Sequence, residues 1–344
     1  MHVHLLLLQR RYYRIYRKYA SFGRICSHIT KLKRRTKPHW HQLASQVIQQ
    51  VAKRIHLGYE KFFDYLGKKK QGLSPRKVGK PKIKPKHKYN SLTFTQAGYE
   101  VKENRIHIKC LKKWFTFWKH REWTGTLKTV TLKRDHVGDY HLYLTYKDCE
   151  PSEKLPLTGN EAGADFGSKT FLTLSDGTKI ASPAFYQQNL KAIRSANKAF
   201  SRKQYLSHGW FRAKRHLARV HKAIANRRRD WFFKLALRLV RKYDRIAIET
   251  LNLEGMKQLW GRKISDIAFG EFAQILQWTC AKYGKTLLRA GRWAATTKPC
   301  SDCGSHNENL SLSERQWMCR ECGSSHDRDI NAAINILRVG VPWV

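Results

Sequence analysis

Acidic residues are the conspicuous shortage in this chain. Its 344 residues include 25 Asp and Glu against 68 Lys and Arg, a formal net charge of +43. None of the acids precedes Glu60, and none lies between Asp64 and Glu100. A field of this kind repels itself unless a polyanion offsets it. Nucleic acid is the natural counterpart, with an anionic membrane surface as the rival. Long hydrophobic runs are missing as well. No stretch approaches the roughly 20 apolar residues of a spanning helix, which weakens the membrane reading. Leu5 to Leu8 is too short and too quickly basic for a secretory signal. Disulfide-type cysteine spacing is also lacking. Cys26, Cys110, Cys149 and Cys280 are scattered among apolar or basic residues and read as free, buried or half-buried thiols. That usage implies a reducing compartment, hence a cytoplasmic, nucleoid-associated protein. No internal repeat is visible.

What is present suffices for a core. Hydrophobic residues make up 41% of the chain, with 11 Trp, 15 Tyr and 15 Phe, enough for two or three domains. Residues 1–25 alternate Tyr with Arg and fit either a strand or a basic helix. From Pro38 to Leu66 the pattern is helical: Leu43, Val47, Val51, Ile55 and Tyr59 share one face. Lys68 to Lys88 is rich in Lys, Pro and Gly, and reads equally as backbone laid along phosphates or as a solvated linker. Residues 91–148 alternate as strands, with Asp135 to Asp139 turning one strand back on Tyr140 to Tyr146. A small barrel or sandwich is expected there. After Pro156 the chain turns mixed α/β. Residues 189–242 are long, basic and helical, with an apolar seam at Leu217, Val220 and Ile224 and another at Trp231, Leu235 and Leu239. Phe272 to Tyr283 reads as a helix stopped by Gly284, and Thr286 to Leu288 as a strand.

The chemistry concentrates late. Cys300 and Cys303, then fifteen residues, then Cys319 and Cys322 form two CxxC knuckles. That spacing reads as a four-thiolate zinc site. Three carboxylates stand at comparable structural points. Asp165 lies between Gly163 and Gly167 in a weak strand, Glu249 ends the apolar strand Ile246 to Ile248, and Asp329 opens a helix over Ile330 to Leu337. Mg²⁺ takes hard oxygen ligands, so carboxylates from separate elements can share a pair of ions. Such a pair supports in-line phosphodiester hydrolysis. Each acid also has a bland reading. An Asp between glycines is usually a turn, a Glu after a strand is usually a loop cap, and an Asp before a helix is usually an N-cap. Order and spacing together favour the chemistry. Asp327 and Arg328 read equally as neighbours that orient Asp329 or as plain helix-start residues.

At Gly163 to Gly177, Tyr243 to Met256 and Cys300 to Ile336 the chain resembles the TnpB/OrfB proteins of insertion sequences, small relatives of type V CRISPR effector nucleases. The resemblance covers roughly residues 40–338. It implies an α/β RNase H-like (RuvC-like) nuclease split into three segments, with a zinc ribbon inserted before the last. An N-terminal wedge-like β-barrel with a helical insertion completes the expected fold. The implied divisions are a wedge-like segment at 1–30, a helical recognition-like insertion at 31–78 and a β-barrel at 79–156. The first two nuclease segments fall at 157–295, the ribbon at 296–325 and the third nuclease segment at 326–344. By motif position, Asp165, Glu249 and Asp329 inherit the catalytic, Mg²⁺- or Mn²⁺-binding roles, and Cys300, Cys303, Cys319 and Cys322 inherit the zinc site. Guide RNA and target DNA, double- or single-stranded, are the implied partners, with no membrane. The implied activity is RNA-guided DNA cutting at a site set by base pairing and a short adjacent motif. Two departures stand out: Asn160 to Ala164 lack branched apolar residues, and Thr250 replaces a common acid. The competing expectations are a nuclease-weak or inactive RNA-guided DNA-binding protein, a zinc-ribbon RNA-binding protein, and a transposase that joins DNA ends.

Overall fold

Helices fill the first seventy residues of the computed structural model. The structure describes every residue except 43, 86–87, 96–97, 120–121, 149–153, 168–169, 253–254, 256–257, 259–260, 262–265, 312–313 and 343–344. Leu43 and Cys149, and Ser168, Lys169, Leu253, Glu254 and Met256 of the quoted motifs, lie outside the described residues. Two compact units divide the chain, Met1–Glu150 and Pro151–Val344.

In the first unit, α1 (His2–Tyr16), α2 (Phe22–Arg35) and α3 (Ser45–Lys70) bury Leu5, Leu6, Ile25, Ile29, Ile48 and Ile55 in one cluster. The Tyr/Arg alternation at the N-terminus is therefore helical. Leu5, Leu6 and Gln9 line one side of α1 at helical spacing, and that apolar stripe decides the outcome. Gln9 is fully buried, yet its amide donates to the Ala20 carbonyl (2.9 Å) and accepts from the Ala20 N–H (2.8 Å). Both of its polar ends are satisfied, which makes the burial tolerable. The expected boundary between residues 30 and 31 falls inside α2. Ile25 and Ile29 share a core with Leu5 and Ile55, so segments 1–30 and 31–78 are not separate bodies.

Six strands follow: β1 (Ser91–Thr95), β2 (Tyr99–Lys102), β3 (Arg105–Ile108), β4 (Lys113–Thr116), β5 (Thr126–Arg134) and β6 (Tyr140–Lys147). They form two three-stranded antiparallel sheets, β1-β5-β6 and β2-β3-β4. Phe94, Ile106, Ile108 and Val130 make their shared core, which Val47 of α3 joins. Among the described residues no ladder closes these sheets into a ring. Cys110 sits exposed on the turn Lys109–Leu111, not half-buried as its neighbours suggested.

The second unit is built on a six-stranded mixed sheet. Its strands are β7 (Glu161–Phe166), β8 (Thr170–Leu174), β9 (Lys179–Ala181), β10 (Arg245–Ile248), β11 (Thr286–Arg289) and β14 (Val341–Pro342), in the order β14-β11-β10-β7-β8-β9, while β12 (Gln316–Met318) and β13 (Ser325–Asp327) pair as a separate hairpin. β10 runs parallel to both β7 and β11, while β8, β9 and β14 join antiparallel. Side chains alternate across this sheet. Helices α4 (Phe185–Gln188) and α5 (Leu190–Ser201) lead into α6 (His208–Lys242), and Ala162, Ala164, Ile246, Ile248 and Leu287 face a core shared with α6 and α7 (Phe269–Tyr283). Ala247 and Leu288 face the other way, onto Ile336 of α8 (Arg328–Val339).

The poor β-propensity of residues 160–164 has its explanation in α8. A Cβ placed on Gly163 would lie 1.8 Å from the Ala333 carbonyl oxygen. The helix backbone thus rests directly on the strand, and only small residues permit that approach. At the opposite end of these strands Lys285, with no side-chain exposure, pairs with Asp244 and donates to the Pro156 carbonyl (2.6 Å). Asp244 also accepts from the N–H groups of Thr158 (2.8 Å) and Gly159 (2.7 Å), tying the starts of β7, β10 and β11 together. Cys280 is buried on α7, which pushes its thiol up to about 12.

Candidate active site and metal centre

Strand periodicity assembles the acidic site. Asp165 follows Gly163 by two residues, so it projects toward the α8 side of the sheet. Glu249 follows Ala247 by two and does the same. Ala164 is paired with Ile248 across parallel β7 and β10, so the next residue on each strand brings Asp165 and Glu249 side by side. Asp329 lies in the first turn of α8, the helix that packs on that face. The three expected acids therefore meet at the carboxyl-end edge of the parallel strands, where ligands of open α/β sheets bind.

Electrostatics report the same closeness. Burial, then the charges of Glu249 and Asp329, push the Asp165 carboxyl well above the usual carboxylate range. Burial pushes Glu249 up to about 7, against a hydrogen bond donated by the Phe166 N–H to Glu249 Oε1 (3.2 Å). Arg315 Nη1 holds Asp329 at 2.9 Å from Oδ1 and 3.2 Å from Oδ2. A cation is already being recruited to the cluster by the protein itself. Among the described residues, the four thiolates are the one group of His, Cys, Asp and Glu whose ligand atoms close around a single point. The acids are near enough for Glu249 and Asp329 to act on Asp165 through their charges.

Asp327 proves to be the helix cap. Its carboxylate accepts from the N–H groups of Asp329 (3.0 Å) and Ile330 (3.2 Å), and Lys179 of β9 pairs with it at 2.7 Å. Burial pushes this carboxyl up, but Lys179 and the two N–H donors outweigh it and hold it below its ordinary value. Thr250, in place of an acid, donates its hydroxyl to the Ala290 carbonyl (2.6 Å) and links the ends of β10 and β11.

The four cysteines converge. Their Sγ atoms all lie within 4.8 Å of one another, with Cys300–Cys322 at 3.7 Å and Cys303–Cys319 at 3.5 Å. A tetrahedral zinc with bonds of about 2.3 Å requires sulfur separations of about 3.8 Å, so the donor set fits that ion. Gly304 and Gly323, each directly after a knuckle, take left-handed backbone at φ +81° and +71°. Cys-x-x-Cys-Gly was a legible signal for these turns that spacing alone passed over. The Ser305 hydroxyl, 3.1 Å from Cys319, helps hold that thiol down to about 6. His326, buried against Trp317, places Nε2 3.0 Å from Cys300 Sγ.

Two residues outside the expected site connect the thiolate cluster to the acids. Asn331 is buried, accepts from the Ser301 N–H (2.7 Å) and donates to the Pro299 carbonyl (2.8 Å). Asn335, one turn on, donates to the carbonyls of Pro299 (2.8 Å) and Thr296 (3.0 Å). Together they clamp the first knuckle to the helix that carries Asp329. Two Asn four residues apart on a helix face were the available sign. Along α6, Arg212, Lys214, Arg215, Arg219, Arg227 and Arg229 are exposed. Arg228 is not a free basic contact: it donates to the Asp266 carbonyl (3.3 Å) and to Glu271 (3.4 Å).

Residues 143–259 match the OrfB_IS605 family, described as "Probable transposase", and residues 269–336 match the "Cas12f1-like, TNB domain". The fold resembles the protein in "Cryo-EM structure of the Cas12f1-sgRNA-target DNA complex", with a TM-score of 0.53 at 14% identity, covering 96% of this chain and 78% of that one. A Streptomyces pristinaespiralis protein named "Putative RNA-guided DNA endonuclease" is 31% identical over 303 residues, 87% of this chain and 72% of the relative. InsQ of Escherichia coli K12, which carries the same description, is 26% identical over 347 residues, 94% of this chain and 81% of the relative. The mimivirus TnpB-like protein L79 is 31% identical over 234 residues, 63% of this chain and 44% of the relative. The chain belongs to the OrfB/TnpB family.

Proposed function

We propose that this protein is an RNA-guided DNA endonuclease that hydrolyses phosphodiester bonds at Asp165, Glu249 and Asp329. The observation that carries the reading is the meeting of three carboxylates from β7, β10 and α8 at one sheet edge, with raised proton affinity at Asp165 and Glu249. Crowded carboxylates fit divalent cations, which relieve their repulsion. Asp165, Glu249 and Asp329 would hold Mg²⁺ or Mn²⁺, supplying an activated water and stabilisation of the leaving oxygen. The chain's own residues do the rest. Lys179 and Asp327 fix the start of α8, Asn331 and Asn335 fix its distance from the first knuckle, and Arg315 sets the orientation of the Asp329 carboxylate.

The sheet of the second unit is read as RNase H-like, with nuclease segments at 157–295 and 326–344 around a zinc ribbon at 296–325. The helical body and the paired sheets of residues 1–156 are assigned to holding guide RNA and reading the adjacent motif, as a wedge-like half-barrel. The exposed basic face of α6 suits the backbone of a guide–target heteroduplex, whose sequence is read by base pairing. Among the described residues no helix is long and apolar enough to cross a membrane, and a cytoplasmic, nucleoid-associated location is proposed from the charge and the free thiols.

The four-thiolate cluster is proposed as zinc-bound. Cys300→Ser should lower zinc to well under one equivalent in a metal assay, and should loosen the clamp at Asn331 and Asn335. Unchanged zinc content would remove the assignment. The function itself is tested by purifying the chain from its native locus and sequencing the RNA that accompanies it. A discrete RNA ending in a variable segment, which then directs Mg²⁺-dependent cutting of matching DNA, is the expected result. Guided binding without cutting would favour the nuclease-inactive alternative. Absence of a discrete RNA would leave a ribbon-type RNA binder.

A further inference from the structure

The two small sheets of the first unit do not fill the space between them. A cleft of about 810 Å³ opens between β1-β5-β6 and β2-β3-β4. Its floor is Ile106, Ile108, Leu132 and Leu142, and its lip is Phe115, Trp118, Tyr140 and Tyr143. Trp118 is 89% exposed, Tyr140 66% and Tyr143 51%. Soluble chains seldom leave such a group of large aromatic rings uncovered without a ligand or partner, and the volume falls in the range of a ligand site.

Charge narrows the occupant. Leu111, also in the lining, is flanked by exposed Lys109, Lys112 and Lys113. Arg134 lies over the Tyr140 ring at 5.9 Å, extending the aromatic lip with a guanidinium plane. The nearby acid Asp135 is engaged by its own turn, accepting from the N–H groups of Val137 (3.0 Å) and Asp139 (2.9 Å), and by His141 (3.2 Å). An apolar protein segment would suit the floor but has no use for this cationic rim. Flat rings beside lysines suit a strand whose bases stack while its phosphates pair with ammonium groups.

We propose that this cleft is a stacking site for unpaired nucleobases of a single strand. The inference rests on nucleic acid being the partner, as proposed above. It adds where unpaired bases are held, through contacts that do not read sequence.

The test uses the full chain carrying Asp165→Ala, which cannot cut its ligand. Affinity is measured by fluorescence anisotropy for an oligothymidine and for an abasic oligomer of equal length and charge. Trp118→Ala and Tyr143→Ala should each weaken the oligothymidine about tenfold, while the abasic oligomer changes less than about twofold. Trp118→Phe should restore most of the loss. A 5-iodouracil oligonucleotide should photocrosslink to Trp118, Tyr140 or Tyr143. Equal losses on both oligomers, crosslinks confined to other parts of the chain, or a sedimentation shift showing that Trp118 joins two copies would overturn the inference. Guided cutting by the native chain alongside any of these results would leave the functional reading standing; loss of all nucleic-acid binding would remove both.

Discussion

Asp165→Ala should abolish DNA cutting while leaving RNA and DNA binding within about twofold of the native chain. The Asp165 carboxyl is raised by burial and by the charges of both other acids. Its loss removes one oxygen donor of the proposed metal site. The cutting rate should fall by about a thousandfold or more, at least the loss seen when one transition-state donor is removed. A plasmid-cleavage time course with Mg²⁺, paired with a binding assay, reads the two effects separately. Asp165→Asn should also abolish cutting and, in metal-free buffer at a pH that ionises the raised Asp165 carboxyl, should raise the melting temperature, because it removes one of three crowded charges. Asp327→Ala offers the contrast: it should keep measurable cutting and cost about 1 kcal/mol of stability through the lost helix cap. Retained cutting by Asp165→Ala, with divalent metal present, would falsify the active-site assignment.

Gly163→Val should be among the most destabilising substitutions in the second unit. Even the first added carbon would lie 1.8 Å from the Ala333 oxygen and 2.9 Å from the Leu337 nitrogen. Both are helix backbone atoms and cannot rotate away. α8 must then lift off β7, which displaces Asp329 and strains the hydrogen bonds of Asn331 and Asn335 to the first knuckle. Overpacking of this kind costs about 3 kcal/mol, or about 6–12 °C in melting temperature for a unit of this size. Cutting should fall more steeply than stability, since the acid cluster depends on the position of α8. Gly291→Ala is the control: a Cβ there meets no atom within 4 Å, and calorimetry should find little change. Similar melting temperatures for the two variants would show that the close approach of strand and helix is not a structural requirement.

Both predictions bear on what was legible beforehand. The hairpin at residues 126–147, the helix ending at Gly284 and the strand after it follow from period and turn residues. So does the meeting of the four cysteines, because two short knuckles form locally whatever surrounds them. Asp165 looked badly placed, in a segment of Ala and Gly with weak strand propensity. The segment is a strand because β10 and β8 pair with it and α8 covers it, and its small residues are the condition for that cover. The Tyr/Arg stretch at residues 11–19 could not be assigned from its alternation, since the packing of Leu5 and Leu6 against α2 and α3 and the hydrogen bonds of Gln9 to Ala20 decide it. Arg228 lies in the stretch read only as a basic helix, and its engagement by Glu271 and the Asp266 carbonyl is a matter of packing.

The polyanionic partner class, the thiolate cluster and the order of the three acids were legible without a fold, because net charge, local loop closure and chain order require no tertiary packing. Packing settled that Asp165, Glu249 and Asp329 share one edge, that Asp327 caps α8, and that Asn331 and Asn335 tie the first cysteine knuckle to the helix carrying Asp329. Those outcomes depend on the face and register on which distant elements pack. A side chain's direction is set by the strand or helix it belongs to, but its neighbours are set by what that element rests against.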